Sequence, residues 1–307
     1  MASKYRSSGV APILILFVFI MTIVVRVFDL TSGPSASEIF ARTIVSQIVI
    51  FALPGLFYCR TRSDNYFSNI PISAMIPSRT LFLIYTLIVL VLGSMLIQFV
   101  VFAIGGSEYS VSTTGQELFE ISEQSSFVYI FLALGVVPAV CEEFVFRGIL
   151  LHEYAPYGKF CAITVSSLAF AMLHFSVSGF LSYFFCGMVL GISYYVTQNL
   201  FITILLHLIS NMFSIYAVPL VSQMILGSGS MSLSIFIVVS IFLLALTFSL
   251  REAAIVYWEY AVGDAVMKKP ATRQKGRSKG IYLITEVFLS PMFIVCVLLF
   301  IIMAVTL

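Results

Sequence analysis

The stretch PAVCEEFVFRGILL, residues 138–151, sets Glu142, Glu143 and Arg147 among apolar neighbours. An ionised side chain near the middle of a bilayer costs at least a few kcal/mol, so one is retained where it faces a polar interior or performs a task. Two further stretches carry polar groups in the same setting. FAMLHFS holds Phe170 and His174, and LLHLISNMF holds His207 and Asn211. Carboxylates, imidazoles and an amide gathered in a low-dielectric interior can take up, hold and hand on protons.

Spacing decides which of these groups pair. A helix turns by about 100° per residue, so side chains four apart share a face and adjacent ones do not. Glu143 and Arg147 are therefore natural partners, in the favoured order with Glu on the amino-terminal side. Glu142 then points elsewhere, without an obvious local partner. The competing reading is a salt bridge that pins a helix end near the cytoplasmic interface, its charges reaching to water. Glu142 fits that reading poorly, because a second carboxylate on another face adds cost without adding to the bridge. A lone histidine in a helix is more often a packing residue than a catalyst. Two buried histidines, an unpaired glutamate and an amide on three spans can instead converge in a bundle core. His152, beside Glu153, is read as a solvated loop residue.

These groups must be carried by membrane-spanning helices. The chain has 307 residues, 60% hydrophobic and 10% charged, with a mean hydropathy of +1.08, whereas soluble domains carry roughly a quarter charged residues. A span needs roughly 20 mostly apolar residues. That template predicts about nine, near Val10–Leu30, Ile39–Cys59, Leu81–Ile104, Phe127–Leu150, Phe160–Phe175, Gly179–Thr197, Leu200–Met224, Ser232–Leu250 and Ile281–Leu307. The expected fold is all-α, a polytopic transmembrane bundle around an intramembrane polar cavity. It divides into amino-terminal helices over 1–126, a catalytic core over 127–224, and carboxy-terminal helices over 225–307. The amino-terminal apolar run, although PSAS at 34–37 would serve as a cleavage site, is long enough to read as an uncleaved first helix.

Lysine and arginine in short loops stay cytoplasmic. Lys4 and Arg6 precede the first span, Arg60, Arg62 and Arg79 lie between the second and third, and Lys159 follows the fourth. A basic loop from Lys268 to Lys279 precedes the last, while the loop after the third is acidic, with Glu108, Glu117, Glu120 and Glu123. Nine spans with a cytoplasmic amino terminus satisfy every loop. The basic loop reads as an orientation signal before it reads as a lipid or partner site. A net charge of +2 gives no reason to invoke nucleic acid. Five scattered cysteines in no CxxC spacing indicate neither a disulfide framework nor a thiolate metal site.

In order, EEFVFR, FAMLH and HLISN resemble the EExxxR, FxxxH and HxxxN motifs of the CPBP intramembrane proteases, which include the CAAX prenyl endopeptidase Rce1 and the bacterial Abi-type proteins. Each motif is weak alone, and three in order on successive polar-marked spans are specific. The resemblance implies an intramembrane endopeptidase in which Glu142 is the general base that activates water and His174 helps to hold that water. His207 and Asn211 would stabilise the oxyanion, with Glu143, Arg147 and Phe170 in support. The substrate implied is a membrane-associated peptide or protein, CAAX-type carboxy-terminal processing being one branch.

The family is also described as metal-dependent. Glu142, His174 and His207 could supply a zinc ion with three ligands and an open position for water. With no HExxH, and only one strong ligand in HxxxN, a metal-free glutamate mechanism is placed slightly ahead. Two other functions compete: a noncatalytic membrane scaffold binding a partner such as a sensor kinase, and a proton-coupled carrier. Degraded motifs would favour the scaffold, and these are intact. A carrier would be expected to show inverted repeats or paired broken helices.

Overall fold

The computed structural model describes residues 11–33, 35–62, 66, 70–73, 77–105, 126–227, 230–263 and 287–306. Among the described residues every regular element is helical, the solution a bilayer imposes when each backbone amide must be satisfied within its own segment. Among the described residues nine helices follow one another: α1 (Ala11–Val27), α2 (Ala36–Arg62), α3 (Thr80–Gly105), α4 (Phe127–Tyr157), α5 (Lys159–Met172), α6 (Phe180–Thr197), α7 (Leu200–Leu226), α8 (Met231–Gly263) and α9 (Pro291–Thr306). The loop from Lys268 to Lys279, the acidic loop from Glu108 to Glu123, and Lys4 and Arg6 lie outside the described residues.

Of the nine expected spans, six among the described residues are helices long and apolar enough to cross a bilayer: α2, α3, α4, α6, α7 and α8. The other three are apolar but short, with 17 residues in α1, 14 in α5 and 16 in α9. At 1.5 Å per residue α5 rises about 21 Å, less than the roughly 30 Å hydrocarbon core. Length and hydropathy therefore identify the chain as an integral membrane protein, and the three short helices are not spans by that measure.

One expectation is corrected, at the end of α4. The helix does not stop near Leu150 but runs to Tyr157 and turns at Gly158. The φ of +112° there belongs to a region that is essentially glycine-only. His152 is exposed as expected, but on this helix rather than in a loop. Glu153 is buried, accepting from Arg62 Nη2 at 3.0 Å and from the Tyr66 hydroxyl at 2.8 Å. Burial first, and then the Glu153 charge, push the Tyr66 hydroxyl well above its ordinary pKa. This pairing locks the end of α4 to the end of α2.

The interior is densest where α4 changes its winding. Two stretches, Phe131–Val136 and Phe144–Leu150, are π-helical, flanking the α-helical Val137–Glu143. Every residue from Phe144 to Leu150 is buried, and Phe144, Val145, Phe146, Ile149 and Leu150 belong to one apolar cluster shared with α1, α2, α5 and α9. Pro138 explains the first widening: a proline inside a helix lacks the N–H for the carbonyl four residues back and clashes with it. Opposite, α5 and α6 approach closely at Gly187, where an added Cβ would lie 2.9 Å from Ser167 Cα. Small residues at such crossings let membrane helices pack backbone to backbone. Four of the five free cysteines are buried, in keeping with their reading as small core residues.

Candidate active site

Gly158 sets the register of the site. Glu142 lies sixteen residues before it on α4, and His174 sixteen residues after it, just past the end of α5. A span ending at Leu150 would leave these groups at unequal depths. The longer α4 places both at the same number of residues from one turn.

Glu143 and Arg147 pair as their spacing predicts, Arg147 Nη1 donating to Glu143 Oε1 at 2.5 Å with both side chains fully buried. Arg147 Nη2 also donates to the Gly187 carbonyl at 3.0 Å, so the close crossing of α5 and α6 brings a backbone acceptor to the guanidinium. His207 Nδ1 lies 2.9 Å from that same Glu143 Oε1. A carboxylate facing Nδ1 assigns the proton to Nδ1. The other ring nitrogen, Nε2, is then the edge turned towards Glu142, 3.9 Å from its Oε2.

Glu142 has no partner on its own helix, as its spacing predicts, and Glu143 takes a second partner beyond Arg147 from another helix. Glu143 holds two cationic or donor groups, and Glu142 faces the second of them. The reason is tertiary: α7 places His207 over the Glu142–Glu143 step of α4. Asn199 fixes where α7 begins, its Oδ1 accepting from Phe201 N at 3.0 Å and Ser73 N at 3.1 Å. His207 follows two turns later.

Phe170 joins the histidines. Its ring stands edge-on to His174 at 5.2 Å and to His207 at 5.7 Å, and Arg147 Cζ lies 5.1 Å from its centroid. This one aromatic therefore touches three of the motif side chains. His174 is half-buried, its ring stacked on Tyr183 at 3.7 Å with planes 7° apart.

Asn211 shares α7 with His207 but is tied elsewhere. Its Nδ2 donates to the Leu134 carbonyl at 3.3 Å, the carbonyl that Pro138, four residues on, cannot serve. One amide N–H and the amide oxygen remain for other partners.

Three contributors escaped the sequence reading. Tyr183 was one aromatic among many. Gln47, on α2, brings its amide beside the Glu142 carboxylate, and its Oε1 is buried with no protein partner among the described residues. Arg26, near the end of α1, donates to the His174 carbonyl at 3.0 Å. Arg26 had a signal, since a cation inside an apolar run carries the same cost as Glu142.

Among the described residues no three His, Cys, Asp or Glu side chains are grouped so as to hold a metal ion. Glu142, His174 and His207 thus do not form the three-ligand set that zinc would need, and no step is derived through one.

Residues 124–213 match the Rce1-like family, described as type II CAAX prenyl endopeptidase Rce1-like. No curated protein and no solved structure matches the chain. The matched segment begins just before α4 and ends two residues beyond Asn211, so it takes in the three motifs and the helices that bring them together. A shared pattern over that segment, on helices whose polar faces meet in one buried centre, leads to one statement: residues 124–213 of this integral membrane protein are similar to the type II CAAX prenyl endopeptidase Rce1-like family.

Proposed function

We propose that the protein is an intramembrane endopeptidase that hydrolyses a peptide bond in a membrane-associated peptide or protein. Glu142 is the general base: it takes a proton from water as that water attacks the scissile carbonyl, and returns it to the leaving amine. His174 helps to hold the water. His207, when its ring carries a proton on both nitrogens opposite Glu143, and Asn211 donate to the oxyanion of the tetrahedral intermediate, where donors already in place act without reorganising. Glu143 holds His207 through Nδ1 and balances Arg147.

The observation that carries this reading is His207 held between the two carboxylates, Nδ1 on Glu143 at 2.9 Å and Nε2 facing Glu142 at 3.9 Å. That separation is too long for a direct hydrogen bond and leaves the two groups within reach of one proton-bearing atom between them. The Gln47 amide beside Glu142 adds a polar group to the same centre.

The same reading keeps the nine-pass topology with a cytoplasmic amino terminus, α1, α5 and α9 crossing as short helices aided by neighbours. It opens the site to substrates at the membrane surface, CAAX-type tails among them. Purified full-length protein incubated with a library of peptides, prenylated and unmodified, is expected to cut a subset at one position. Cleavage by Glu142→Gln at the wild-type rate would overturn the proposal.

A further inference from the structure

The turn that presents His174 is shaped from outside the matched domain. Phe175 has a φ of +46°, a left-handed backbone that L side chains other than asparagine and aspartate rarely adopt. Helices often end on such a residue, but usually on glycine, which has no Cβ penalty. Here two contacts from α1 hold the larger residue in place. Arg26 Nη2 donates to the His174 carbonyl at 3.0 Å, and its Cζ lies 5.5 Å from the Phe175 centroid. Phe19 meets the same ring edge-on at 5.6 Å. A guanidinium is also well suited electrostatically to the carboxy-terminal end of α5, where the last carbonyls lack helical partners.

We propose that α1 is a clamp on the His174 turn and that Arg26 is a positioning residue for His174. The His174 ring is fixed by Phe170 and Tyr183, whereas its backbone is fixed by Arg26. Both constraints are needed to aim an imidazole that follows the end of a short helix. Arg26 touches no reacting atom, and its effect passes through His174. The inference rests on the proposed role of His174. It extends the functional unit to a helix that the family match does not reach.

The test uses full-length protein in lipid nanodiscs with its histidines carbon-13 labelled in the ring. The chain has three histidines, so three ring signals can be assigned by single His→Gln variants. Arg26→Ala is expected to move or broaden the His174 signal while His152 and His207 stay in place. Arg26→Lys, which keeps a cation and a donor, should bring His174 part of the way back. In peptide cleavage Arg26→Ala should lower kcat by about tenfold with KM within about twofold, the pattern of a displaced catalytic group. An unmoved His174 signal, equal movement of all three, or Arg26→Lys no closer to wild type than Arg26→Ala would each overturn the clamp. If the wild-type protein cleaves nothing, the catalytic reading fails by itself, and the ring signals still decide whether Arg26 positions His174.

Discussion

At the scale of single residues, the two adjacent glutamates divide the work, and a conservative substitution separates them. Glu142→Gln keeps the shape and removes the proton acceptor, so cleavage should fall by at least roughly 10²-fold while the protein still folds. Glu143→Gln leaves Arg147 fully buried without its counter-charge, a situation that costs about 3–5 kcal/mol when one partner of a buried pair is removed. It also weakens the acceptor that orients His207. Thermal unfolding in detergent should therefore show a lower midpoint for Glu143→Gln than for Glu142→Gln, with reduced yield. Equal midpoints together with equal activities would mean that the two carboxylates are interchangeable, against the asymmetry of their contacts.

At the scale of elements, α4 and α5 act as one hairpin about Gly158. An added Cβ at Gly158 meets nothing within 4 Å, so Gly158→Ala tests the backbone alone. Holding a side-chain-bearing residue at φ +112° costs on the order of 1–3 kcal/mol, and relaxation of the turn would slide Glu142 against His174. Gly158→Ala is expected to lower the unfolding midpoint and to reduce kcat, with no effect from an alanine substitution at an exposed helical position such as Thr247. A midpoint and kcat both equal to wild type would show that the hairpin register is set by packing instead. The packing alternative has a known site: the crossing at Gly187, where Ser167 backbone stands in the way of any side chain.

At the scale of the molecule, orientation in the bilayer follows from charge. The clustered lysines and arginines from Lys268 to Lys279 should lie on the cytoplasmic side and the acidic loop on the other. A cysteine placed at Ser112 should react with a membrane-impermeant maleimide in intact cells, and one at Ser278 only after permeabilisation. The reverse pattern would invert the assigned topology. Native background should be low, since four of the five cysteines are buried and Cys186 is partly so.

Hydropathy alone located the nine helices of the described residues, because an apolar run that must satisfy its own backbone has little choice but to be helical. It set the end of α8 at Leu250, where the helix runs to Gly263, and the start of α9 at Ile281, where the helix begins at Pro291. It also marked Glu142, Glu143, Arg147, Phe170, His174, His207 and Asn211, since polar groups stand out against such a background. Where helices end was less legible. Tyr154 and Tyr157 extend α4 past the last long apolar run, and the Arg62–Glu153 pairing that makes this extension favourable joins residues far apart in sequence. Helical spacing predicted the Glu143–Arg147 pair, which is local. It had no means of placing His207 on Glu143, Asn211 on Leu134 or Arg26 on His174, because each of these contacts depends on how separate helices cross. What the sequence by itself determined is therefore the set of polar groups and the helices that carry them. Which carboxylate orients the histidine, and which faces its free edge, was decided only when α7 packed across α4.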